Sequence, residues 1–260
     1  MNVIVITGAS SGMGREFALQ LDRGLQTIDE FWLVARRIDR LKELAAAMRH
    51  RVKILPLDLS SEADMRLFGE VLQEEKPVIR MLINCAGYGM IGDFMEIPVE
   101  QQAGEVDVNC RALLQMTYAC IPYMRQKSRI IQLASSAAFM PQPGFGVYAA
   151  TKSFVLSFSR ALREELKEKK IYVTAVCPGP VRTEFFDIAE QYGDTLAIKK
   201  FTMVEAERVV REALAASCKN RPMSVCSLPI CAFWAMTRVM PQDPVVHITY
   251  LLKKKGHKKK

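Results

Sequence analysis

Short apolar runs alternate with longer amphipathic stretches along most of the chain. NVIVI (2–6) is continuous and β-branched, the pattern of a strand buried on both faces. Residues 14–23 read as a helix and FWLVA (31–35) as the next strand. Leu41, Leu44, Ala45 and Met48 recur at i, i+3, i+4 and i+7, the spacing of a helix with one buried face. VKILPLD (52–58) reads as a strand, 62–73 as a helix, and MLINCAG (81–87) as a strand running into a loop. A long helix is predicted over roughly 98–126, then the strand RIIQLA (129–134), a helix from about 147 to 168, and the strand IYVTAVCPG (171–179). Thr202-Met203-Val204-Glu205 has the S/T-x-x-E form of a capping box, so a helix is expected from Thr202 to about Ser217. A last strand near 223–227 precedes a stretch that reads as irregular. This alternation predicts an α/β fold, a doubly wound parallel sheet of about seven strands with helices on both faces.

The chain has 260 residues, half of them hydrophobic and a quarter charged, an ordinary globular balance. Its net charge is +8, but KKKGHKKK at the end holds six lysines, and removing them leaves +2. The basic character is a tail and not a domain, which argues against a nucleic-acid partner. The tail, 253–260, is expected to be disordered, with an electrostatic tether to an anionic membrane as the sharper alternative. Seven cysteines form no CxxC pair, and no Cys/His cluster has zinc spacing, so no metal is expected and a reducing, cytoplasmic setting is. The start, MNVIVITGAS, has no signal-peptide pattern. The longest apolar approach to a spanning helix, Cys226–Met236, is too short and is interrupted by Pro229.

Candidate chemistry begins directly after the first strand, where Gly8, Gly12 and Gly14 fall in TGASSGMG and a helix follows. Glycines at a strand-to-helix turn let backbone N–H groups approach a pyrophosphate, which the helix N-terminus attracts. The spacing G-x-x-x-G-x-G resembles that of the short-chain dehydrogenase/reductase family, whose domain is a Rossmann-type sheet. The second strand then ends in Ala35-Arg36-Arg37, with no acid to bind a ribose 2′-hydroxyl. Arg15 adds a further cation, and a guanidinium fork suits a 2′-phosphate, so NADP(H) is expected over NAD(H).

Tyrosine with lysine at i+4 occurs three times, at Tyr123–Lys127, Tyr148–Lys152 and Tyr250–Lys254, so the spacing by itself selects none. Tyr148 stands apart because it opens a helix just after the fifth strand, at the sheet edge where such ligands bind, with Ser135 thirteen residues before it. The span 135–152, SSAAFMPQPGFGVYAATK, resembles the family's catalytic segment. That resemblance implies that Ser135 polarises a carbonyl and Tyr148 is the general acid/base. It also implies that Lys152 lowers the tyrosine pKa and holds the nicotinamide ribose, and that Asn109 supports the lysine and a proton path. Ser136 is a rival to Ser135, but counting back from Tyr148 favours Ser135. The implied cofactor contacts are Gly8, Ser10, Ser11, Gly12, Met13, Gly14, Arg36, Arg37, Asp58, Leu59, Asn84, Ala86 and Gly87, together with Tyr148, Lys152, Pro178, Gly179, Val181 and Thr183. Cys85 stands where the family's second Asn is usual.

A single domain over 1–252 follows, its cofactor part about 1–150 and its catalytic and substrate part about 130–252. Tyr88, Met90, Met140, Phe145 and Phe185 are candidate pocket walls, with Ile91 and Phe186 near them. Their apolar character predicts a hydrophobic ketone or secondary alcohol, such as a steroid, bile acid or lipid-like carbonyl. The alternatives are a membrane-associated 3-oxoacyl or lipid ketone reductase and a non-catalytic NADP-binding sensor. A homo-oligomer, dimer or tetramer, is expected, and the segment after 224 could touch a membrane periphery.

Overall fold

A computed structural model describes residues 1–193 and 203–257, with side chains through Leu251. Seven strands form one parallel sheet: β1 (Asn2–Thr7), β2 (Glu30–Val34), β3 (Arg51–Leu55), β4 (Val78–Asn84), β5 (Met124–Leu133), β6 (Tyr172–Val176) and β9 (Met223–Ser224). Their order is β3-β2-β1-β4-β5-β6-β9, so the connections reverse direction between β1 and β4. In a doubly wound sheet that reversal opens a crevice at the carboxyl edge.

The strands carry apolar side chains on both faces because both are covered. Ile4, Ile6, Phe31, Leu33 and Ile83 meet α1 (Gly12–Gly24), α2 (Ile38–Ala46) and α8 (Ala206–Cys218) through Phe17, Leu41 and Val210. Val3, Val5, Trp32, Val34 and Leu82 face α3 (Glu62–Glu75), α5 (Leu113–Cys120) and α6 (Gly146–Glu165) through Phe68, Met116 and Leu162. Alternate residues of one strand thus feed two separate cores, as the pleat requires.

Three elements depart from the pattern reading. The helix expected to 126 runs through α4 (Val99–Val106), a π-helical turn (Asp107–Ala112) and α5, and stops at Cys120. Pro122 sits in the closing 3₁₀ turn, and β5 already begins at Met124, paired with Ile79 of β4. In the second case Thr202 lies outside the described residues, and α8 starts at Ala206. Val204–Glu205 (β8) pair instead with Val181–Arg182 (β7), and Arg182 Nε donates to Glu205 Oε1 at 2.9 Å. The third departure is the tail. The stretch after β9 is helical, as α9 (Leu228–Val239) and α10 (Gln242–His257), so the helix enters the lysine run expected to be disordered. Pro229 lies in the first turn of α9, where its missing N–H costs nothing.

Candidate active site

The turn after β1 is built by close backbone approach. A Cβ on Gly14 would collide with the Gly8 carbonyl oxygen, and one on Gly8 would lie 2.8 Å from the Ala86 Cα. Gly8 also has φ +65°, in the left-handed region. Thr7 Oγ1 accepts from the N–H groups of Cys85 (3.0 Å) and Ala86 (3.1 Å), which ties this turn to the loop leaving β4. The first turn of α1 has no acidic residue and no side-chain cap. Its N–H groups and the positive end of the helix therefore favour an anion.

Arg37 closes the other side of this cradle. Its Nε and Nη2 each lie 3.2 Å from Ser10 Oγ, Nη2 donates to Ser11 Oγ at 2.8 Å, and Nη1 donates to Glu184 Oε2 at 2.9 Å. Arg36 points elsewhere, 3.8 Å from Asp58 Oδ2. Asp58 also accepts from Ser60 N (3.0 Å) and Oγ (2.7 Å). Burial pushes its carboxyl up, but the Ser60 bonds and the Arg36 charge outweigh it and hold Asp58 below the usual range. Leu59 is core, and Asn84 is buried, its Nδ2 donating to Thr117 Oγ1 and Gln132 Oε1 at 3.0 Å each. Both are packed in the interior and, like the glycines of the turn, Arg36, Arg37 and Asp58, are not part of the cleft wall described next.

The cleft lies past the carboxyl ends of β1, β4, β5 and β6. Its wall includes Met13, Gly87, Ser135, Ser136, Tyr148 and Lys152, then Pro178, Gly179, Val181 and Thr183. It is a cleft open to solvent, with about 820 Å³ of empty space within it and its mouth together. Ile91, Phe145, Phe185 and Phe186 form its apolar side. Tyr88, Met90 and Met140 do not line it: Met90 and Met140 are buried, and the Tyr88 hydroxyl donates to the Gln101 carbonyl at 3.1 Å. Alternation after a strand does not reveal which loop residues turn inward, and here the backbone of Tyr88 is turned by Asn109.

Asn109 sits fully buried in the π-helical turn. Its Nδ2 donates to the Tyr88 carbonyl (2.8 Å) and Thr151 Oγ1 (3.0 Å), and its Oδ1 accepts from the Tyr88 N–H (3.1 Å). It therefore pins the loop after β4 to the helix turn that carries Lys152. Glu105, one turn earlier, is 1% exposed, and its Oε1 accepts from the Met90 N–H at 3.0 Å. Its Oε2 is buried with no hydrogen-bond partner among the described residues. Burial pushes Glu105 up to about 7, with the Met90 bond and the Lys152 charge opposing.

Ser135, Tyr148 and Lys152 come together in the cleft wall. Ser135 Oγ accepts from the Ala137 N–H at 3.1 Å and hydrogen-bonds the Tyr148 phenol. Ser136 is anchored through its backbone, donating to the Pro178 carbonyl at 2.8 Å. The Tyr148 ring stacks on Phe145 (4.3 Å between centroids) and tilts against Phe185 (5.4 Å). Lys152 Nζ donates to the Leu133 carbonyl at 2.8 Å and lies 5.6 Å from the centre of the Tyr148 ring.

One expectation changes here. Lys152 is expected to draw the tyrosine pKa down, yet burial pushes Tyr148 up, Glu105 and Cys85 add to that, and Ser135 is what opposes it. The ammonium lies over the ring and is engaged by a carbonyl, and burial pushes it down to about 8. At neutral pH the pair is therefore a neutral phenol, able to donate a proton, beside a lysine that titrates just above neutrality.

Sequence reasoning missed Thr7, Glu105, Thr151 and Glu184. Thr7 heads the glycine motif and Thr151 adjoins Lys152, so both carried a positional signal. Glu105 and Glu184 carried none, because their roles come from contacts distant in sequence.

Residues 2–192 match the family model for short chain dehydrogenase. An NADP-dependent 3-hydroxy acid dehydrogenase of Schizosaccharomyces pombe is 32% identical over 198 residues, 74% of this chain and 75% of that protein. An 11-beta-hydroxysteroid dehydrogenase-like protein of Arabidopsis thaliana is 32% identical over 217 residues, 80% of this chain and 69% of its own length. Among solved structures, a short-chain dehydrogenase from Sphingobium yanoikuyae in complex with NADPH superposes with TM-score 0.78 at 30% identity, covering 94% of this chain and 98% of that one. With its parallel sheet, its glycine turn and the model match over most of its length, this chain belongs to the short chain dehydrogenase family.

Proposed function

We propose that the protein is an NADP(H)-dependent oxidoreductase interconverting a hydrophobic ketone and the corresponding secondary alcohol. The observation that carries this reading is that Ser135, Tyr148 and Lys152 share one cleft wall with Met13, Gly87 and Thr183, beside the glycine turn. The cradle fits a dinucleotide: a turn too tight for a Cβ at Gly14, an uncapped helix N-terminus, and the hydroxyls of Ser10 and Ser11 under Arg37. Gly8, Gly12, Gly14 and Met13 would hold the pyrophosphate side. Arg37 would take the 2′-phosphate, and Lys152, Val181 and Thr183 the nicotinamide side. The cofactor, when bound, supplies or accepts hydride. The S. pombe and S. yanoikuyae relatives, named for NADP and NADPH, support this cofactor.

The chain's own task is the proton. Tyr148, neutral at physiological pH, donates its phenolic proton to the carbonyl oxygen in reduction and recovers it in oxidation. Ser135 donates a hydrogen bond to the same oxygen and steadies the charge that builds there. Lys152, once protonated, favours the phenolate left behind. Asn109 keeps Tyr88 and Thr151 in place around this group. Phe145, Phe185 and Ile91 exclude water and favour an apolar substrate of the steroid, bile-acid or lipid-carbonyl kind.

Tyr148→Phe tests the assignment. Turnover of the best substrate from a ketone and alcohol panel should fall about 10²- to 10⁴-fold, the usual worth of a positioned acid/base, while NADPH affinity is retained. Unchanged turnover removes Tyr148 from the chemistry. A wild-type chain that binds NADPH but turns over nothing in the panel favours the sensor reading.

A further inference from the structure

Glu184 follows β7 and directly precedes the short helix α7 (Phe185–Ala189). Its Oε2 accepts from Arg37 Nη1 at 2.9 Å, and its Oε1 lies 3.7 Å from Arg40 Nη2. The contact joins residues 147 apart, from the end of β2 to the far side of the cleft. The Arg37 hydrogen bond, with the charges of Arg37 and Arg40 behind it, holds the Glu184 carboxyl below its usual range, so it is ionised at neutral pH. The remaining nitrogens of Arg37 are committed to Ser10 and Ser11. Two guanidinium groups and two hydroxyls are the donors that a phosphate monoester takes, and here a carboxylate of the same chain already engages both arginines.

We propose that Glu184 is an internal competitor for the 2′-phosphate site, and that it tunes how strongly this chain distinguishes phosphorylated from unphosphorylated cofactor. The proposal rests on the reading of Arg37 as the 2′-phosphate ligand. A 2′-phosphate and the Glu184 carboxylate repel each other across the same arginines, so the phosphate binds at the expense of the Arg37–Glu184 pair. A ligand without that phosphate leaves the pair intact.

The test uses ligands without nicotinamide, so that binding is read apart from turnover. Adenosine 2′,5′-bisphosphate and adenosine 5′-monophosphate are titrated calorimetrically into the full chain, wild type, Glu184→Gln and Glu184→Ala. Both variants should bind the bisphosphate about two- to fivefold more tightly, the worth of one partly exposed ion pair, with the monophosphate unchanged. Glu184 is partly exposed, so both should keep the wild-type melting temperature closely enough to compare. Unchanged bisphosphate affinity, or an equal gain for both ligands, overturns the proposal and leaves the cofactor reading standing. A wild type that binds the two ligands equally overturns the Arg37 reading and the proposal with it.

Discussion

Glu105 shows how much a single buried side chain adds to this site. Its carboxyl titrates near 7, so it changes charge across the physiological range. When ionised it raises the pKa of both Tyr148 and Lys152. Glu105→Gln keeps an acceptor for the Met90 N–H and never ionises. Alcohol oxidation needs Tyr148 to lose its proton, which is easier without that negative charge. The pH–rate profile for oxidation should therefore move to lower pH in Glu105→Gln, and superimposable profiles would make Glu105 a silent structural group. Ser135, Tyr148 and Lys152 drew attention through their place after the fifth strand and their mutual spacing, and Asn109 only through the family resemblance. All four lie close together, Ser135, Tyr148 and Lys152 in the cleft wall and Asn109 bonded to Thr151 beside Lys152. Glu105 was not legible, since an acid on a helix reads as solvated until the loop after β4 is seen to cover it.

At the scale of elements, Asp22 on α1 ties helix to sheet. It is 4% exposed and accepts from the N–H groups of Arg49 and His50 at 3.0 Å each, and it lies 2.8 Å from His50 Nδ1. Burial pushes its pKa up, but the His50 and Arg49 bonds prevail and hold it below 3.8. A lowered folded-state pKa means the contribution is present above the unfolded value and is lost as pH falls through the folded one. Asp22→Ala should lower the urea midpoint at neutral pH by an amount equivalent to about 1–3 kcal/mol, the cost of leaving buried donors unpaired. The gap to wild type should close in acid; a constant gap would assign the effect to packing. Elements with strong periodicity, such as the first strand and the helix from Gly146, were legible within a few residues. The start of α8 was not, because pairing of Val204–Glu205 with Val181–Arg182 competes with any local helix signal. Likewise Pro229 reads as a break in a string of letters, but in three dimensions it opens a helix.

At the scale of the molecule, the carboxyl-terminal helices leave apolar side chains outward. Leu228 is 85% exposed, Ile248 56% and Leu251 44%, and lysines follow from 253. None of the described helices is long and apolar enough to cross a membrane. We propose that these apolar residues, followed in sequence by lysines, meet the surface of an anionic bilayer, where each lysine is worth about 1 kcal/mol and salt weakens the attraction. Sedimentation with vesicles rich in anionic lipid should be lost when the six lysines of 253–260 become glutamine. No sedimentation of the intact chain, or binding indifferent to those lysines, would dispose of the membrane contact.

The sequence by itself determined the alternation of strand and helix, the glycine turn, and the placing of Ser135, Tyr148 and Lys152 around the end of the fifth strand and the start of the next helix, because periodicity and motif spacing are local properties of a chain. Tertiary structure decided which loop residues face the cleft, that Arg37 meets Glu184, and that burial outweighs Lys152 in setting the Tyr148 proton. These depend on burial and on charges brought together from distant parts of the chain, and neither is visible until the sheet and its helices have closed around them.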